Sequence, residues 1–276
     1  VYNNGSGKVN VTGGYIYVST NSGDYTKAIE NINGTIDVSG GEIKGEDTIT
    51  NSSNGIVKVS NGTITSTGWN ADAIKNNGGN VEVTGGTLIN TNQGTSYTGS
   101  VIRTDGGTLN ITGGTLTGGE GIETWDDAFV NITGGEIYAK GGAGIHGYRN
   151  GNITFENAKI ESYGNGILSD QKSGTNVIVK SGTITSSNNS AITLNEYYSG
   201  VNLIIGEENL ENSPNIIGAS EKYAIWNPSG SISFYNGTIT GGTIVCGAFD
   251  NIPSEKEVIL TQNENTEPAV LGDIQD

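Results

Sequence analysis

The chain is poor in the residues that redox and metal chemistry use most: it has one cysteine, one histidine, no methionine and four prolines. A lone cysteine, Cys246, leaves no disulfide framework and no cysteine-based metal centre, and reads as a small buried side chain. With His146 the only imidazole, a zinc site would have to be built largely from carboxylates, which that ion disfavours. Basic residues are also scarce. Thirteen Lys and Arg stand against 29 Asp and Glu, for a net charge of −16. That balance excludes nucleic acid, whose binding rests on neutralising phosphates, and an anionic membrane surface. No apolar run nears the ~20 residues of a membrane span, so no membrane insertion is expected. No signal-peptide pattern opens the chain, but Val1-Tyr2-Asn3 starts in mid-repeat, so further domains of the same native chain are expected upstream. Hydrophobic content is only 33% and charged content 15%. A thin core in an elongated fold accounts for the low hydrophobic content.

Glycine is abundant, at 45 residues, without a three-residue period, which rules out collagen. The glycines belong to a longer repeat. One phrase recurs: aliphatic, any residue, aliphatic, a turn usually rich in Gly, any residue, aliphatic. It reads Val9-Asn10-Val11-Thr12-Gly13-Gly14-Tyr15-Ile16 and again Val130-Asn131-Ile132-Thr133-Gly134-Gly135-Glu136-Ile137. The middle position is Val11, Val38, Val59, Val83, Ile111, Ile132, Phe155, Val179, Ile205 and Phe234, in steps of 27, 21, 24, 28, 21, 23, 24, 26 and 29 residues. Two before it lie Val9, Ile36, Val57, Val81, Leu109, Val130, Ile153, Val177, Leu203 and Ile232. Five after it lie Ile16, Ile43, Ile64, Leu88, Leu116, Ile137, Ile160, Ile184, Leu210 and Ile239. Nine repeats carry a third apolar position, at Ile29, Ile49, Ile74, Ile102, Ile122, Ile145, Ile167, Ile192 and Ile225. The alternation has period two, so these are strands with one face inward, and no helical period competes.

Three short strands per turn of ~20–30 residues suit an all-β, right-handed, single-stranded parallel β-helix, here of about ten coils. Equivalent residues then stack: Asn31, Asn51, Asn76 and Asn227 form an interrupted asparagine ladder, and glycine pairs such as Gly85-Gly86 and Gly134-Gly135 mark a corner needing positive φ. On these residues the pattern resembles the pectin-lyase-like superfamily of right-handed β-helices, particularly the Gly/Thr/Asn-rich repeat domains of bacterial surface proteins. The resemblance covers roughly residues 9–245. It implies the fold and an extracellular or cell-surface setting, but the same scaffold carries lyases, hydrolases, adhesins and binding modules. The helix is expected over 1–250, with 251–276, where the glycine pattern stops, as a C-terminal cap or linker. The longest insertions fall at 17–26, 90–99 and 211–223, and a further excursion at 195–200 follows the third strand.

Thr104-Asp105, Trp125-Asp126-Asp127 and Ile145-His146-Gly147 lie one coil apart each time. The series resembles that of polygalacturonase-type glycosidases, and it implies acid/base cleavage by Asp105, Asp126, Asp127 and His146. Ile145 stands where that series has glycine, and no Arg-x-Lys follows to hold a uronate. Glu123, Asp126 and Asp127 could ligate Ca²⁺ through oxygen, the one cofactor the sequence admits. Aromatic residues are the better lead. Trp69, Tyr97, Trp125, Tyr148 and Trp226 lie in or beside the third strand outside the aliphatic columns, and Tyr15, Tyr17 and Tyr138 are outward on the second. Flat rings beside amides suit the C–H faces of sugars. Threonine pairs such as Thr63/Thr65 and Thr115/Thr117 are interrupted by charges at Glu42, Lys44, Glu136, Lys159 and Glu161, which spoils any ice-like array.

The expectation is therefore a non-catalytic extracellular β-helix module of a bacterial surface protein that binds a polysaccharide or cell-surface glycan, or serves adhesion. Its ligand face would carry Trp69, Lys75, Arg103, Glu123, Trp125, His146, Tyr148 and Trp226, with His146 exposed. The alternatives are a polysaccharide lyase or glycoside hydrolase acting on an acidic polysaccharide, and a passive structural stalk.

Overall fold

A computed structural model describes residues 1–18, 26–92, 99–171, 175–194, 200–208, 212–252, 256–259 and 269–273. The regular structure of the described residues is all strand, in one continuous sheet that is parallel up to its last strands and wound as a right-handed β-solenoid of about nine turns. Each coil contributes three faces. On the first, Val9 pairs with Ile36, then Val57, Val81, Leu109, Val130, Ile153, Val177, Leu203 and Ile232. On the third, Ile29 is followed by Ile49, Ile74, Ile102, Ile122, Ile145, Ile167, Ile192, Ile225 and Val245. These aliphatic ladders meet at the axis and are almost wholly buried, with Phe155 and Phe234 the largest inward side chains. Each buried aliphatic side chain stabilises the fold by about 1.5–3 kcal/mol. Because a coil touches only its neighbours, these contributions accumulate coil by coil.

The second-face ladder corrects one expectation. It runs Ile16, Ile43, Ile64, Leu88, Leu116, Ile137, Ile160, Ile184, Ile216 and Ile239, ten rungs in all. The ninth rung is Ile216, on the strand Pro214–Ile217, and not Leu210, which lies outside the described residues. The glycine corner is replaced there by Gly206 followed by the exposed Glu207 and Glu208, so the chain uses more residues before re-entering the sheet. Tyr97, Lys172, Tyr197 and Tyr198 also lie outside the described residues.

Glycine at most of the regular corners answers a steric need, and Asn157 takes the positive φ at the corner that lacks it. Gly135 has φ of 89°, and a Cβ there would come within 3.0 Å of the Gly114 carbonyl oxygen one coil away. Buried amides line the inside of the turn after the third strand. Asn3 Nδ2 donates to Asn31 Oδ1 (2.8 Å), Asn31 to Asn51 (2.8 Å), Asn51 to Asn76 (2.9 Å), and Asn76 to Thr104 Oγ1 (3.0 Å). The ladder thus starts one coil earlier than expected. Asn227 stands apart from it, accepting from Gly230 N and donating to the Ser231 carbonyl. At the far end, Ala269–Asp273 runs antiparallel to both Thr238–Thr240 and Lys256–Ile259.

Candidate functional site

Strand alternation on the third face turns two columns of side chains outward. Lys75, Arg103, Glu123 and His146 occupy successive rungs of one, continued by Leu168, Thr193 and Trp226. The other holds Asp105 opposite Trp125, and Tyr148 opposite Asp170. With ~4.8 Å between coils, Lys75 and Trp226 are about 29 Å apart. The structure therefore gathers Arg103, Glu123, Trp125, His146 and Tyr148 into one place and leaves Trp226 some way along the axis, edge-on to Tyr223 at 5.1 Å. Trp69 lies in the turn before Ile74–Asn77 and is 66% exposed.

The cluster is a stack. The His146 ring lies on Tyr148 with centroids 3.8 Å apart, and Tyr148 lies on Trp125 at 4.1 Å and 12°. Arg103 Cζ stands 5.2 Å from the Trp125 centroid and Arg149 Cζ 5.6 Å. Both cations gain from the ring quadrupole, and Arg103 also covers part of the indole that would otherwise be open to a ligand.

His146 was expected to be exposed, and this is corrected: it is buried, with only 8% of its surface accessible. Outward parity puts it on the third face, but its neighbours close over it. Asp170 Oδ2 lies 3.5 Å from Nε2, and Glu120 Oε1 lies 3.8 Å from Nδ1, an ion-pair distance too long for a hydrogen bond. Burial alone would favour the neutral ring, but the two carboxylates outweigh it and push the pKa up to about 9. The imidazole is consequently a cation at neutral pH. Burial likewise lifts the Glu123 carboxyl above its ordinary value. Arg103, whose Nη1 is 3.9 Å away, opposes that shift, and repulsion from Glu120 adds to it.

These groups border an open groove of about 660 Å³ whose lining runs from Asn70 and Gly99 to Asn188 and Asn189. Its origin is the coil length. The steps of 21 and 23 residues at Ile111–Ile132–Phe155 are among the shortest in the chain, and their turns are nearly bare glycine. Gly141 and Gly142 donate to the Gly119 carbonyl at 3.0 and 2.7 Å, and Gly164 donates to that of Gly142 at 3.0 Å. A Cβ on Gly142 would stand 2.5 Å from Glu120 Cγ. Larger turns flank this dip on both sides. Tyr163, 47% exposed, is among the residues that line the groove.

Several polar atoms here are buried without a hydrogen bond: His146 Nδ1, Asp170 Oδ1 and Trp125 Nε1. The indole N–H favours the Glu123 carboxylate electrostatically but makes no hydrogen bond of normal geometry to it. Such orphaned groups are uncommon in folded proteins and mark places where something else can bind. A larger depression on the second face, about 720 Å³ and lined by Glu136, Lys159, Thr183 and Asn215 among others, has no aromatic in its lining.

The remaining sequence candidates do not join this site. Asp105 is held by Arg103 Nε at 3.0 Å. Asp126 sits in a left-handed turn (φ 53°), exposed and paired with Arg149 at 2.9 Å, and Asp127 beside it is also exposed. Neither aspartate is among the groove's lining residues, which include His146 and Glu123. Among the described residues no three His, Cys, Asp or Glu side chains converge as a cation would need; Glu123 faces Arg103 while Asp126 faces Arg149. Sequence reasoning missed Glu120, Tyr163, Asn165 and the role of Asp170. The short coil steps and the runs Gly118-Gly119 and Gly141-Gly142 were the available signal. Comparison with known protein families, curated sequences and solved structures finds no match.

Proposed function

We propose that this chain is a non-catalytic glycan-binding module, a pectin-lyase-like β-helix of a bacterial surface protein that works outside the cell and holds a polysaccharide in the third-face groove. One observation carries the reading. The His146 Nδ1 donor and the Glu120 Oε1 acceptor face one another at 3.8 Å without bonding, in a groove also lined by Tyr148, Tyr163 and Trp125. The Glu120 carboxylate, more open than the shielded Nδ1, can accept from a sugar hydroxyl, and an exposed ring suits the C–H faces of the sugar. Asn165, Asn188 and Asn189 add amide groups to the lining. The groove follows the solenoid axis across several coils, as an extended chain requires. The acid/base reading is less favoured because Asp105 and Asp126 are engaged by arginines and stand apart from His146.

A polysaccharide array, run with and without Ca²⁺ and with retained ligands scanned for cleavage products, tests this. Retention without cleavage is expected, weakened by Trp125→Ala, which dismantles the stack, and by Tyr163→Ala, and unchanged in Asp126→Asn. New reducing ends or unsaturated sugars lost in Asp126→Asn would replace it with the lyase or hydrolase reading. No retention on any glycan would leave a passive stalk.

A further inference from the structure

Resting on the glycan-binding reading, we infer that the groove selects a polymer of sugars bearing free amino groups over neutral or acidic ones. The charged residues lining it are Arg103, His146, Glu120 and Glu123. Asp105 and Asp170 stand behind the two cations, and buried Asp72 adds to the negative field on Arg103 and Glu123. Arg149 and Asp126 pair with each other beyond Trp125. Asp105 answers Arg103 at 3.0 Å, and Asp170 answers His146 at 3.5 Å. Glu120 and Glu123 are thus the surplus. They approach the same two cations only at 3.8 and 3.9 Å, beyond hydrogen-bond reach, so their oxygens keep lone pairs free. They also repel each other, and Glu123 is largely removed from water. Two under-neutralised carboxylates at a half-buried site attract a cation.

The geometry favours an ammonium over a metal ion. No three His, Cys, Asp or Glu side chains converge among the described residues as a dedicated metal site would gather them. An ammonium on a sugar needs only a few acceptors and gains from a nearby aromatic ring, and Trp125, Tyr148 and Tyr163 are among the groove's lining residues. Acidic polymers face the opposite field, both here and from the chain as a whole at −16.

The test uses three β-1,4-linked hexamers that differ only at C2: glucosamine, N-acetylglucosamine and glucose. Binding is measured calorimetrically in mildly acidic, low-salt buffer, where sugar amines are protonated. The glucosamine hexamer is expected to bind about tenfold tighter than cellohexaose. That advantage disappears in Glu123→Gln and in about 0.5 M salt, while the circular dichroism of the variant matches the parent. Glu120→Gln, whose side chain lies over the glycine turn, is a second variant with the same expected loss. Equal affinity for the three hexamers, or tighter binding of polygalacturonate, would overturn the inference and leave the glycan-binding reading standing. So would silence from all three hexamers when another glycan on the array is retained. Silence across the whole array would remove both.

Discussion

The buried imidazolium can be tested by titration, because this chain has one histidine and gives one imidazole resonance. His146 has a folded pKa of about 9 against 6.5 for the free side chain. A raised histidine pKa means that folding favours the proton, so the stabilisation is complete below about pH 6.5 and lost as pH rises through 9. The full shift corresponds to about 3 kcal/mol as an upper limit. The hydrogen bond to Asp170 is long at 3.5 Å and Glu120 stands beyond hydrogen-bonding distance at 3.8 Å, which brings the expected value to about 1–3 kcal/mol. Two measurements check it. The Hε1 chemical shift should titrate with a midpoint well above 7. Denaturant unfolding followed by tryptophan fluorescence should show stability falling between pH 6.5 and 9.5, a fall that His146→Gln abolishes. A midpoint at or below 6.5 would refute the reasoning, since it would mean that burial outweighs Glu120 and Asp170. An unchanged slope in His146→Gln would refute it too.

A second pH window should appear lower down. Asp72 is buried, and burial, partly offset by hydrogen bonds from Ser100 N and Oγ at 2.8 Å, raises its carboxyl to about 7. Its charge therefore opposes folding increasingly between about pH 4 and 7, costing roughly 2–4 kcal/mol by neutrality. Asp72→Asn should flatten the stability profile in that window and leave the His146 window intact. In the amide ladder, Asn51→Ala strips partners from Asn31 Nδ2, Asn76 Oδ1 and the Gly55 carbonyl. It should cost about 2–4 kcal/mol in thermal or denaturant unfolding. Asn54→Ala, which removes one exposed 3.3 Å contact to Asn33, should stay within about 0.5 kcal/mol.

Most of the fold was legible because two independent periods agreed. Alternation at two residues names the inward face, and recurrence at 21–29 residues names the rung. Together they place almost every ladder residue. They failed at Leu210 because a spacing of five residues holds only for a three-residue corner. Glu156-Asn157-Ala158 keeps it without glycine, with Asn157 at positive φ, whereas eleven residues separate Ile205 from the ninth rung at Ile216. The site was half legible for a related reason. Parity and rung number put Lys75, Arg103, Glu123 and His146 in one column, but they say nothing of what leans over a side chain from the adjoining turn. His146 is buried by Glu120 and Asp170 and by its stack on Tyr148. That outcome depends on side-chain reach, not on strand register. Trp69 and Trp226 were grouped with Trp125 by their place in or beside the third strand, a criterion that does not count coils: Trp226 stands four rungs beyond Trp125.

If the groove exists because two coils are short, lengthening one of them should abolish it without harming the fold. Inserting Asn-Ser-Gly between Gly141 and Gly142 leaves every ladder residue in place. Each coil contacts only its neighbours, and enlarging a surface turn costs only about 0.6 kcal/mol per doubling of its length. The added residues would stand over Glu120, where even a single Cβ on Gly142 would come within 2.5 Å of Cγ. Glycan affinity should drop by at least about tenfold, with unfolding and circular dichroism nearly unchanged. The same insertion between the exposed Glu207 and Glu208 should leave binding intact. Equal binding by both insertion variants would mean that the ligand lies elsewhere on the rod, and the depression between Asn70 and Asn189 would then be only a consequence of short coils.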